Sequence, residues 1–164
     1  MSSTEQKLKE LLTAFGNEIV NSRNPINVLS RSCIDEHVPA APGVYWIETT
    51  MPVEEIKTAI SQVTGKEKRS RKKPPEGTRL IEQNGNSQYV VYSGTEGDLK
   101  KRLKQHLFND GHSDTAKLGC VLSSKPFSDY EWSVWFREIA SYEIRYAVEA
   151  WWRLNCGWPP LCLR

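Results

Sequence analysis

The stretch "YVVYSGTEGDLKKRLKQH", Tyr89 to His106, runs a strand almost directly into a helix. β-Branched and aromatic residues fill Tyr89–Tyr92, which favours a strand, and Ser93-Gly94 is expected to break it. Thr95 and Asp98 then stand at capping-box spacing, with Asp in place of the usual Glu or Gln. From Leu99 the pattern is helical. Leu99 and Leu103 form an apolar stripe, while Arg102 and His106 lie four apart and so project together. Two readings of that face compete. Lys100, Lys101, Arg102 and Lys104 can be the surface charge of a solvated amphipathic helix, or Arg102 and His106 can belong to a site at the end of the strand.

Working outward, "TRLIEQNGNSQYVVY" reads as a hairpin, because two strand-like runs flank the tight-turn pair Asn84-Gly85. "GVYWIE" (Gly43–Glu48) is a short strand, and Val53, Ile56, Ile60 and Val63 share one face of a helix over Val53–Val63. In "DYEWSVWFREI", Tyr130, Trp132, Val134 and Phe136 alternate with Glu131, Ser133, Trp135 and Arg137, the period of a strand with one buried face. A helix over Thr115–Leu122 is expected before it and another, Tyr142–Leu154, after it. At the start, Leu8, Leu11, Leu12, Phe15 and Ile19 sit at helical spacing and imply a docked helix. "NSRNPINVLSRSCIDEHVPAAPG" is rich in turn formers and reads as a connection. These elements imply an α+β fold, a small, mainly antiparallel β-sheet flanked by helices. Residues 1–41 read as an N-terminal helix and connection, and the chain as one compact domain overall.

The 164-residue chain carries a net charge of only +2, unevenly spread. "GKEKRSRKK" (Gly65–Lys73) holds six basic residues and one acid, and Lys100–Lys104 adds four more. Asp129, Glu131, Glu138, Glu143 and Glu149 gather towards the other end. That polarity suits phosphate grip in one region and carboxylate chemistry in another; a solvated loop is the alternative for Gly65–Lys73. Pro74-Pro75 bars a helix there, so a mobile loop is expected. The four cysteines (Cys33, Cys120, Cys156, Cys162) lack C-x-x-C pairing, which argues against a disulfide framework or zinc knuckle. No apolar run reaches membrane-span length and no signal-peptide core is present, so a cytoplasmic protein with reduced thiols and no membrane partner is expected. The tryptophans, Trp132, Trp151 and Trp152 among them, read as core.

At this point the pieces resemble the GIY-YIG nuclease family. "GVY" (Gly43-Val44-Tyr45) stands for its first signature and "YSG" (Tyr92-Ser93-Gly94) for its second. "LKKRLKQH" is similar to the helix that bears an arginine and, in the homing branch, a histidine, here Arg102 and His106. "DGHSDTAKLG" resembles that branch's next segment, which adds His112, and Glu149 in "SYEIRYAVEAWWRL" matches the acid that holds the divalent metal. The family's closing asparagine falls at Cys162, and an insertion separates the two signature tyrosines. The resemblance spans about residues 42–164, which it implies to be the nuclease-like domain, with the insertion at about 51–77. It implies a nuclease dependent on Mg²⁺ or Mn²⁺ that hydrolyses phosphodiester bonds in nucleic acid, with double-stranded DNA the expected partner and a restriction-type role in view. A module of the same fold that binds nucleic acid without cutting it is the alternative, motivated by Cys162.

The residue chemistry is compatible with that implication. Glu149 can hold a hard cation, or pair with Arg145 or Arg153; Glu143 is its competitor. Arg102 offers a permanent positive fork for two non-bridging phosphate oxygens. Tyr45 and Tyr92 can bind or deprotonate water if a nearby cation lowers their pKa, or serve as core tyrosines. By the resemblance, Tyr45 is the general base and Tyr92 its positioning partner, with His106 supporting the base or binding phosphate. Lys68, Arg69, Arg71, Lys72 and Lys73, together with Lys101, Lys104 and His112, are the expected backbone contacts.

Overall fold

The strand Gly43–Thr49 is buried along its whole length and pairs on both sides, so it is the middle of the molecule. In the computed structural model, which describes residues 2–111, 118 and 125–164, it is β2. The described elements run α1 (Ser3–Asn21), β1 (Ile26–Asn27), α2 (Arg31–His37), β2, α3 (Val53–Thr64), β3 (Tyr89–Glu96), α4 (Leu99–Phe108), β4 (Trp132–Glu138) and α5 (Tyr142–Cys156). The strands form one antiparallel open sheet in the order β1-β4-β2-β3. Together with five helices this makes an α+β fold.

Side chains alternate across a sheet, and here both faces are covered. Tyr45, Ile47, Trp132 and Val134 join the core cluster shared with Ile34 and Val38 near α2, Ile56 and Ile60 of α3, and Leu99, Leu103 and Leu107 of α4. Val44, Trp46, Val90 and Trp135 face the other way, against Ile19 of α1 and Val148, Trp151 and Trp152 of α5. The indoles of Trp46 and Trp135 stack at 3.8 Å and 12°. The expected single buried face of β4 is therefore corrected: Ser133 and Trp135 are buried as well, because α1 and α5 cover their side. On α1, Leu8 and Leu11 remain exposed, and docking falls to Leu12, Phe15, Gly16 and Ile19.

The anticipated hairpin does not form. Asn84-Gly85 does turn, with the Ser87 amide donating to the Asn84 carbonyl at 3.1 Å, but the upstream run pairs elsewhere. Trp158 donates to the Arg79 carbonyl at 2.7 Å and accepts from the Ile81 amide at 2.9 Å, so residues 79–81 lie along the chain that leaves α5. The connection over 21–43 holds more order than its turn formers suggest, since β1 extends the sheet and Ile34 and Val38 are buried. The helix expected over Thr115–Leu122 lies outside the described residues, apart from the buried Leu118.

One irregularity positions everything that follows. The β2–β3 register passes from Glu48↔Val90 to Ile47↔Tyr92, so Val91 is an extra residue, a β-bulge. In a plain ladder Tyr92 would face α5. The bulge turns Tyr92 and Gly94 onto the Tyr45 face and Ser93 towards α5. Ser93-Gly94 does not end the strand, which continues to Glu96. Accordingly Asp98, not Thr95, caps α4, accepting from the Lys101 amide at 2.9 Å.

Candidate active site

β3 is an edge strand, and an open edge must be covered or charged. The last residues cover it. Leu161 donates its amide to the carbonyl of the bulged Val91 at 3.1 Å. The Cys162 thiol then serves Ser93 on both sides, accepting from its amide at 3.3 Å and donating to its carbonyl at 3.4 Å. Cys162 is 2 % exposed and burial raises its pKa, so it remains a thiol that caps a strand edge.

Beyond that cover a cleft of about 550 Å³ opens, lined among others by Tyr45, Tyr92, Arg102, Glu149 and Arg153. Tyr45 reaches it by passing over Gly94, its cross-strand partner. A Cβ at Gly94 would lie 2.6 Å from the Tyr45 hydroxyl, so the glycine is required by the phenol above it. The Tyr45 hydroxyl is 2.8 Å from His106 Nε2, and the Tyr92 ring lies 6.2 Å from the Tyr45 ring and 4.7 Å from the imidazole. His106 is fully buried among the leucines of α4. Arg102, one turn earlier, sets its Nε 3.4 Å from a Glu96 carboxylate oxygen.

Burial pushes the Tyr45 phenol well above its ordinary pKa, helped by Tyr92 and opposed by Arg102. It raises Tyr92 to about 12. Burial, then the charges of Arg102 and Lys68, push His106 down to about 3, so its imidazole is neutral near pH 7. In the Nδ1-protonated tautomer the Tyr45 hydroxyl donates to Nε2, which leaves the phenol oxygen able to accept a proton from the cleft side.

On the opposite wall Glu149 is nearly buried and pairs with Arg153, one turn on. Burial raises the pKa of its carboxyl, while the Arg153 charge and hydrogen bonds from Ser93 and Arg153 oppose the rise. Arg153 has other support, donating to the Ser93 hydroxyl and carbonyl at 3.1 Å each and to the Arg164 carbonyl at 2.7 Å, with its guanidinium over the Trp158 ring at 4.7 Å. Among the described residues no three His, Cys, Asp or Glu side chains gather into a metal cage. A single carboxylate at the cleft, paired with Arg153, is compatible with Mg²⁺ or Mn²⁺ held mostly by water and substrate oxygens. Glu143 does not line the cleft; its exposed carboxylate accepts from the Ser141 hydroxyl near the start of α5.

The other expected contacts do not line this cleft. The basic loop is not simply mobile: the Arg71 amide donates to Pro160, its guanidinium donates to the Cys162 and Leu163 carbonyls, and it lies 5.1 Å over Trp158. Lys68 is half-buried, and burial lowers its pKa to about 8. Arg69, Lys72 and Lys73 are exposed. Lys101 is exposed, Lys104 pairs with Asp35 at 2.8 Å, and His112 lies outside the described residues. Ser93 and Arg153 were given no part in the site from sequence, although Arg153 stood as a pairing alternative for Glu149 and that pair forms. Their only signal was Arg153 standing four after Glu149.

Comparison with protein-family models, with curated proteins and with solved structures finds no match to this chain.

Two outcomes follow from the geometry. Gly94→Ala is expected to displace the Tyr45 hydroxyl and break its bond to His106, which a crystal structure of the variant would show; an undisturbed 2.8 Å contact would refute the steric role. As pH falls below about 6.5, the unfolded chain protonates this histidine before the folded one does, because the folded pKa is near 3. Stability is therefore complete above pH ~6.5 and is lost towards pH ~3, by at most about 1.4 kcal/mol per pH unit. His106→Gln should flatten that slope in denaturant titrations between about pH 6.5 and 5; equal slopes would mean that the folded imidazole protonates normally.

Proposed function

We propose that the chain is a divalent-metal-dependent endonuclease of the GIY-YIG type that hydrolyses phosphodiester bonds, with double-stranded DNA as the substrate and restriction as the setting. The single observation that carries this reading is the Tyr45–His106 hydrogen bond opening into the cleft lined by Arg102 and Glu149. Phosphodiester hydrolysis needs a proton acceptor for water, positive charge for the phosphorane oxygens and help for the leaving oxygen. The first two are present as side chains.

Tyr45 takes the proton of the attacking water as it passes its own to His106 Nε2. Such a relay suits a buried phenol, because no free phenolate has to accumulate where burial disfavours it. The neutral imidazole offers the Nε2 lone pair for that proton; the imidazolium is disfavoured by burial and by the Arg102 charge, so it forms only during the attack and returns the proton afterwards. Tyr92 shields the pair and orients the water. Arg102 presents guanidinium N–H groups to the non-bridging oxygens. Arg153 holds Glu149 in place from the Ser93 strand. Glu149 would hold the cation, which when bound supplies charge for the phosphate and the departing oxygen.

A second reading, a module that binds nucleic acid without cutting it, is favoured by one observation: Cys162 is spent on the strand edge and offers no ligand to the cleft. Plasmid DNA and RNA incubated with Mg²⁺, Mn²⁺ or EDTA separate the two. Metal-dependent nicking or cutting is expected, and binding without cleavage under any metal would establish the second reading.

Variants sharpen the assignment. Glu149→Gln is expected to abolish cleavage with the fold and most nucleic-acid affinity kept, since the metal acts on charge that develops in the transition state. Tyr45→Phe keeps the ring and loses one hydrogen bond, about 0.5–1.5 kcal/mol of stability, whereas single-turnover cleavage should fall by about 10²–10⁴-fold. A folded Tyr45→Phe protein that cuts at the wild-type rate would remove Tyr45 from the chemistry.

A further inference from the structure

Helix α5 carries a feature that the proposed chemistry leaves unused. Tyr142, Tyr146, Ala150 and Leu154 recur every four residues, so they form one stripe beside Glu149 and Arg153. The stripe is open to solvent: Tyr142 is 61 % exposed, Tyr146 50 % and Leu154 55 %. Its upper part is ordered before any ligand arrives. The two phenol rings lie 4.7 Å apart at 45°, their hydroxyls are hydrogen-bonded at 3.2 Å, and the buried Arg145 guanidinium stands 5.4 Å from the Tyr142 ring. Its lower part enters the cleft, where Tyr146, Ala150 and Leu154 line the same wall as Glu149 and Arg153.

We propose that this stripe, centred on Tyr146, is a nucleobase subsite that stacks an unstacked base of the strand whose phosphate enters the cleft. The proposal rests on the nuclease reading above and names a substrate contact that it lacks. Three considerations select a base as the occupant. Tyr146 stands one helical turn before Glu149, about 5–6 Å away at Cβ, comparable to the span from a phosphate to the base of its own nucleotide. The stripe is continuous with the arginines that would take the phosphate, so one nucleotide can engage both. A tyrosine ring also gives every base a π-face to stack on, which suits contact beside a phosphate grip that carries no sequence information. Because bases inside a duplex are already stacked, occupancy requires the strand to be locally opened at the cleft.

The test is equilibrium binding in EDTA, which prevents cleavage, of a fluorescent oligothymidylate and of an abasic deoxyribose-phosphate strand of equal length. Tyr146→Ala should weaken the oligothymidylate complex by roughly 5–100-fold and leave the abasic complex unchanged. Tyr146→Phe should bind both strands as wild type does. The salt dependence of oligothymidylate binding should be the same in all three proteins, because the lost contact is neutral. Wild-type affinity of Tyr146→Ala for both strands would overturn the subsite while leaving the nuclease reading intact, as would an equal loss on both strands. No binding of either strand by wild-type protein at low salt would overturn the subsite; the nuclease reading falls only if duplex DNA is also neither bound nor cut with metal present. If Tyr146→Ala instead abolishes a concentration-dependent self-association seen by sedimentation, with strand affinity unchanged, the stripe belongs to a second copy of the chain and the subsite is refuted.

Discussion

The candidate site depends on one extra residue in an edge strand. Val91 interrupts the β2–β3 ladder, and every side chain after it changes face. Without that shift Ser93 would lie beneath the Tyr45 ring, where Gly94 now gives the hydroxyl its passage, and Tyr92 would point at α5. The bulge leaves the Val91 carbonyl without a ladder partner, and Leu161 supplies its donor from the chain end. A buried polar group left unpaired costs about 1–3 kcal/mol, so the C-terminal segment is part of the site's architecture. The same segment brings Cys162 to Ser93, Ser93 anchors Arg153, and Arg153 holds Glu149. The two walls of the cleft are thus linked through one strand.

Burial gives the chemistry its character. Tyr45, Tyr92 and His106 sit on the α4 side of the sheet, where both phenols resist ionisation and the imidazole resists protonation. A tyrosine acting alone as base would need its pKa lowered, and the surroundings do the reverse. Coupling it to a neutral imidazole means that no phenolate has to be present before the attack, and the cost falls instead on a transient imidazolium that the same burial disfavours. Arg102 supplies the nearest positive charge, close enough to oppose the rise at Tyr45. The Tyr45–His106 pair and the Glu149 carboxylate are in this way kept on two faces of the sheet and meet only at its edge.

Much of the architecture was legible in the residues. The central strand, α3, α5 and the strand containing Trp132 were each marked by period or by turn chemistry, and the α+β class followed from their order. The bulge was not, because Val91 is as good a strand residue as its neighbours and only the partner strand shows it to be unpaired. The hairpin expectation failed for a related reason: Asn84-Gly85 specifies a turn, while the partner of residues 79–81 was chosen by the distant Trp158. The buried second face of β4 was hidden because Ser133 and Arg137 looked polar in sequence, whereas α1 and α5 decide what is covered. At the site, Tyr45, Tyr92, Arg102, His106 and Glu149 were singled out, and the structure brings them to one cleft or against it. Arg71 illustrates the limit. A basic run reads as a phosphate grip, but its guanidinium is taken by backbone carbonyls of the chain end.

The most direct test of the account is whether a cation and the Tyr45–His106 pair occupy the same cleft. Crystals grown in Mn²⁺ and measured near the manganese absorption edge would give an anomalous difference map. A peak in coordinating contact with the Glu149 carboxylate, facing Tyr45 across the cleft with its bond to His106 kept, is the expected result. Manganese bound only elsewhere on the surface, with the Glu149–Arg153 pair unchanged and the cleft without a peak, would contradict it.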